Sequence, residues 1–161
     1  MSASDAAGAL GRAPAPGLAR ARWMSTLAQA EPAALAAAWE RLRAKPSYRL
    51  LRAAETGLVM VRGRAGGTGA PFNLGEMTVT RCSVELDDGR VGHAYVAGRD
   101  TRHAETAAVL DAMLQDPAAR ATLEAELVAP LLAAREARLR EIRARASATR
   151  VEFFTLVRGE A

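Results

Sequence analysis

Between Tyr48 and Ala97 the apolar residues tend to recur at every second position, whereas on both sides of that stretch they recur every three or four. A period that switches from helix to strand and back places a sheet in the middle of the chain, with helices before and after it. The fold class this implies is α+β. Four strand-like segments are expected: 48–54, 57–63, 76–86 and 91–97. Glu55 and Thr56 beside Gly57 read as one hairpin turn, and Asp87-Asp88-Gly89-Arg90 as another, so an antiparallel sheet of about four strands is predicted. In the third segment Thr78, Thr80, Cys82, Val84 and Leu86 fall on one face, with Met77, Val79, Arg81, Ser83 and Glu85 on the other.

Before the sheet, Trp23, Met24 and Leu27 and then Leu35, Trp39 and Leu42 recur at helical spacing, with Glu31-Pro32 suited to starting a second helix. This predicts a helical hairpin that ends before Lys45-Pro46, with both tryptophans as packing anchors. After the sheet, Asp100 or Thr101 can cap a helix carrying Val109, Leu110, Met113 and Leu114, with Glu105 placed in its first turn; Asp116-Pro117 ends it. A further helical stretch runs from Leu123 through Leu131 to Leu139 and Ile142, bent near Pro130. Residues 1–19, rich in Ala, Gly and Pro, read as a disordered tail preceding a single domain at 20–159. The end of the chain differs in kind: Val151, Phe153, Phe154 and Leu156 form an extended, apolar tail that needs a docking site, in the chain's own sheet or on another subunit.

Charge narrows the function. The formal net charge is +4, and Lys45 is the only lysine, so arginine supplies every other side-chain cation. Guanidinium forks suit carboxylate, phosphate and interface contacts. They are scattered among glutamates rather than gathered on one face, and aromatic residues are few, which argues against a nucleic-acid binder. A lone cysteine, Cys82, allows no disulfide within the chain. No apolar run reaches the length of a membrane span, so a soluble, cytoplasmic protein is expected.

The glycine-rich stretch "RGRAGGTGAPFNLGEMTVTR" (62–81) invites comparison with a phosphate cradle. A Walker loop needs Lys-Ser or Lys-Thr and then a helix, but here Gly69 is followed by Ala70-Pro71-Phe72 and an expected strand. The dinucleotide fingerprint fails for the same reason. What remains is a long connection between two strands, with Arg64, Gly66, Gly67, Thr68, Gly69, Phe72, Asn73, Gly75 and Glu76 as candidates for a subunit contact or a phosphate-proximal loop. A purely structural loop stays open. Arg99, Asp100, His103 and Glu105 form a second polar cluster at a helix start, open to a capping network or to chemistry. His93, His103 and Cys82 lack metal-ligand spacing, and no serine has nucleophile context, so no self-sufficient active site and no metal site is expected.

Several long strings carry a resemblance. "RWMSTLA" (22–28), "RAAETGLVMVRGRAGGTGAPFNLGEMTVTR" (52–81), "GHAYVAGRDTRHAE" (92–105), "DAMLQ" (111–115) and "RVEFFTLVRG" (150–159) closely resemble the G subunit family, PhnG, of the bacterial carbon-phosphorus lyase system. The resemblance implies a subunit that joins PhnH-, PhnI- and PhnJ-type partners in a core with two copies of each, and that works with PhnI-, PhnH- and PhnL-type partners in the reaction. It implies support for transfer of a phosphonate onto the ribose of MgATP with release of adenine, giving ribose 1-phosphonate 5-triphosphate, in phosphonate catabolism. MgATP is then a substrate of the complex, and no cofactor is bound by this chain alone. The residues leave one alternative standing, an independent nucleotide- or phosphonate-binding module built on the glycine loop with Arg64, Arg81, Arg99 and His103.

Overall fold

The computed structural model describes residues 16–65 and 68–149. Helices α1 (Pro16–Gln29) and α2 (Pro32–Arg41) come first, followed by strands β1 (Tyr48–Arg64), β2 (Pro71–Leu86) and β3 (Val91–Ala97). Helices α3 (Thr101–Leu114), α4 (Pro117–Leu123) and α5 (Ala129–Ala148) complete it, the last two joined by a π-helical turn at Glu124–Val128. The three strands form one antiparallel sheet in the order β1-β2-β3. The class is α+β, as the periodicity predicts.

The strand count differs from the expected four. The segments 48–54 and 57–63 are one continuous strand, with no hairpin at Glu55-Thr56-Gly57. Register shifts between Leu50 and Glu55 absorb the irregular pattern, so the two apolar runs stay on one ladder. A tight turn there would have needed a residue of positive φ, and Gly57 is not among the glycines that adopt one; Gly89, in the true β2–β3 turn, has φ +84°. The second strand also begins earlier than expected, at Pro71 rather than residue 76, so most of the presumed long loop is strand. Proline is tolerated at a first strand position because it owes no ladder bond there. Helix α1 begins at Pro16, inside the stretch read as a tail. Residues 1–15 and the apolar segment from Val151 to Leu156 lie outside the described residues.

Helix α3 packs on the sheet and holds the core together. Thr80, Cys82, Val84 and Leu86 of β2 are buried, as the period-2 reading requires, together with Ala94 and Val96 of β3. Helix α3 faces them with Ala104, Ala107, Ala108 and Ala112, side chains small enough for a close approach. The approach is closest at Gly92, where a Cβ would sit 1.9 Å from the Ala108 carbonyl oxygen and 2.7 Å from the Ala112 nitrogen. Asp100 caps α3 by accepting from the His103 backbone N–H at 2.9 Å. Glu105 therefore falls in the second turn, not the first. The π turn has a simple cause: Pro130 has no N–H to give, and the Ala129 N–H bonds five residues back to Glu124.

One buried carboxylate ties three elements together. Asp111 of α3 is fully buried, and it accepts from Arg20 Nη2 at 2.7 Å and Nε at 3.2 Å, from Trp23 Nε1 at 2.8 Å, and from the His93 backbone N–H at 3.0 Å. With four donors its charge is compensated where water cannot reach. Arg20 Nη2 and Gln115 Nε2 also donate to the Val91 carbonyl, so side chains satisfy the outer margin of β3 at Val91 and His93.

Candidate functional site

The sheet is unequal in length, and that inequality makes the surface of interest. Strand β3 pairs with β2 only from Val79 to Glu85, whereas β1 and β2 stay paired out to Arg64 opposite Pro71. Beyond Gly57 and Thr78 the chain is a two-stranded ribbon projecting from the body. Leu58 and Met60 lie opposite Thr78 and Glu76, which have the same parity in β2 as the buried Thr80, Cys82 and Val84, whereas the register shift at Leu74 turns Phe72 to the other side of the ribbon. The core-facing side of the sheet thus continues onto the ribbon at Leu58 and Met60, where no helix among the described residues covers it. The ribbon's apolar residues are open to solvent: Leu58 is 62% exposed, Leu74 61%, Met60 50% and Phe72 47%. Large apolar side chains gathered in water on the two sides of one ribbon mark an interaction surface.

Local chemistry shapes the ribbon. Leu74 sits at a register shift and lies across Gly63, where a Cβ would come within 2.4 Å of Leu74 Cδ1. Asn73, Gly75 and Glu76, read as loop residues, are exposed strand residues. The turn is closed by its own bonds, Gly69 N–H to the Ala65 carbonyl at 3.1 Å and Arg64 Nη1 to the Gly69 carbonyl at 2.9 Å; Thr68 is exposed beside them. Gly66 and Gly67 lie outside the described residues.

The second polar cluster sits at the start of α3. His103 is buried, and its Nε2 bonds the Leu27 carbonyl at 2.8 Å, joining the first turn of α3 to the end of α1. Glu105 accepts from the Tyr48 hydroxyl at 2.6 Å. That bond, then burial, raises the Tyr48 phenol from 10.0 to about 12. Together with Trp39, Glu40 and Arg102 these residues line a cleft of about 380 Å³ between α2 and α3. Arg99 is exposed next to it.

Arg64, Arg81, Arg99 and His103, read together as a binding module, do not share one site. Arg64 is at the ribbon tip, and the nine residue steps along β2 from its partner Pro71 to Thr80 span about 30 Å. Arg81, beside Thr80, is already paired with Glu55 at 2.7 Å, and this holds the Glu55 carboxyl below the usual carboxylate range. His103 is buried and occupied. Among the described residues no three His, Cys, Asp or Glu side chains gather, and no helix is long and apolar enough to cross a membrane.

Comparison with known proteins adds what geometry does not. The family model described as phosphonate metabolism protein PhnG matches residues 18–159. The chain belongs to the PhnG family. A relative from Rhizobium meliloti (strain 1021), the α-D-ribose 1-methylphosphonate 5-triphosphate synthase subunit PhnG, is 48% identical over 143 residues, covering 88% of this chain and 90% of its own. The PhnG match takes in the ribbon, the polar cleft and the C-terminal segment alike. Sequence reasoning missed the Arg20–Asp111 pair in this PhnG chain. Its signal was present: an aspartate inside the apolar run "AAVLDAML" is a charge that must find a partner.

Proposed function

We propose that this chain is a subunit of a multi-subunit α-D-ribose 1-methylphosphonate 5-triphosphate synthase in phosphonate catabolism, with a structural and activating role. In this reading the phosphonate oxygen bonds to the ribose carbon of MgATP that carries adenine, adenine leaves with the bonding pair, and the complex acts as a transferase in the cytoplasm. The nucleosidase chemistry belongs to a PhnI-type partner, PhnH- and PhnL-type partners take part in the transfer, and a PhnJ-type subunit acts later, with two copies of this chain per assembly and no cofactor held by this chain alone. The identity to the named relative over nearly its whole length carries the proposal. The ribbon supports it, since an uncovered continuation of a core face is what a permanently assembled subunit presents.

Co-expression with a PhnI-type subunit tests it. The expected result is one co-purifying particle, with adenine release from MgATP and methylphosphonate once PhnH- and PhnL-type subunits are added, and none from this chain alone. Separate elution of two well-folded chains, or full turnover by the partners without this one, would overturn the reading.

A further inference from the structure

Helix α5 carries an apolar stripe that the described residues do not finish covering. Leu131, Ala134, Leu139 and Ile142 line a groove of about 230 Å³ with Glu31 and Ala34 at the junction of α1 and α2. One end of the stripe, Leu131, is buried, whereas Ile142 is 52% exposed on a helix whose other exposed residues are largely arginine, glutamate and alanine. The same helical spacing runs on from Ile142 through Ala146 to Thr149, so α5 ends on the side where the stripe lies.

Twelve residues, 150–161, follow Thr149, and Val151, Phe153, Phe154 and Leu156 fall early among them. Seven helical residues separate Thr149 from Ile142, about 10 Å along the axis, and ten separate it from Leu139, about 15 Å. A strand advances about 3.3 Å per residue, so after a reversal of about two residues Phe154 returns about 10 Å and Leu156 about 16 Å. Phe154 and Leu156, which share one side of an extended segment, therefore match Ile142 and Leu139 in reach.

We propose that Val151 to Leu156 fold back antiparallel along α5 and cover this groove, with Phe154 over Ile142 and Leu156 beside Leu139. The segment is tethered a few residues from its seat, so its effective concentration there is millimolar, well above that of a second copy at ordinary concentrations. The inference stands apart from the assembly reading, because the groove is on α5 and the apolar ribbon is elsewhere.

Disulfide trapping in the full chain tests it, since a disulfide requires Cβ atoms about 4 Å apart. Ile142→Cys with Phe154→Cys, mildly oxidised, is expected to give a monomer lighter by one pair of hydrogens, with a peptide map joining 142 to 154 and Cys82 left as a thiol. Arg140→Cys with Phe154→Cys is the control, on another side of the helix, and is expected to stay reduced. Ile142 is exposed, so the substitution leaves the core intact, and circular dichroism verifies that both variants fold. A covalent dimer would assign the segment to another copy; free thiols in the first variant, or equal trapping in the control, would show no seat on α5. Each of those three results overturns the proposal.

Discussion

At the scale of single residues, Asp111 matters most to stability. It is the one acceptor shared by the Arg20 guanidinium, the Trp23 indole and the His93 amide, so its removal leaves a cation and two N–H groups without their partner. Asp111→Ala is expected to cost about 3–5 kcal/mol, read as a lower urea midpoint, while replacing Asp88 in the exposed turn changes little. Tyr48 makes a prediction in pH. Its phenol is held protonated in the folded state up to about 12, against 10.0 otherwise, chiefly by the bond to Glu105. A raised folded value means that its contribution is complete below pH 10 and is lost as pH rises from there through about 12. In an alkaline absorbance titration one of the two tyrosines should ionise near 12, that step should vanish in Tyr48→Phe, and the variant's stability should fall less steeply over the same window.

At the scale of elements, the ribbon separates folding from association. Leu58 and Leu74 are exposed and support no core contact, so Leu58→Ser with Leu74→Ser is expected to leave the thermal midpoint nearly unchanged, within about 0.5 kcal/mol per site. The same pair should abolish co-purification with a PhnI-type subunit; retention of the complex at full yield would show that the ribbon is not the contact. This element was also where the sequence was hardest to read. Helical boundaries were legible because capping residues and prolines mark them: Asp100 and Asp116 each accept a helix N–H, and Pro32 and Pro117 open helices. Within the sheet, turn chemistry misled. Gly57 preceded by Glu55 and Thr56 looks like a hairpin, and the glycines, Pro71 and Asn73 look like a loop, yet pairing over the full ladder outweighs these local preferences. Of the candidate loop residues, Phe72, Asn73, Gly75 and Glu76 stand on β2, and that placement depends on cross-strand partners that no local window contains. The clustering expected of Arg64 with Arg81 failed for a related reason, since distance along a ribbon is invisible to residue type.

At the scale of the whole molecule, the balance of surfaces points outward. The body is closed by α3 over the sheet, while Leu58, Met60, Phe72 and Leu74 stay in water. The purified chain is therefore expected to bind a hydrophobic dye and to self-associate as concentration rises in sedimentation experiments, both effects disappearing when a PhnI-type partner is supplied. A monomer that stays dispersed and dye-negative at high concentration would contradict this. The tie between Asp111, Arg20 and the outer margin of β3 has one more consequence. With Val91 and His93 already bonded to side chains, a foreign strand meets a closed border there, while the opposite border, along β1, lacks a neighbouring strand among the described residues. A guest strand is thereby steered to the β1 flank, and pairing passed onward through β3 meets groups already taken at Val91 and His93, which works against growth into fibres.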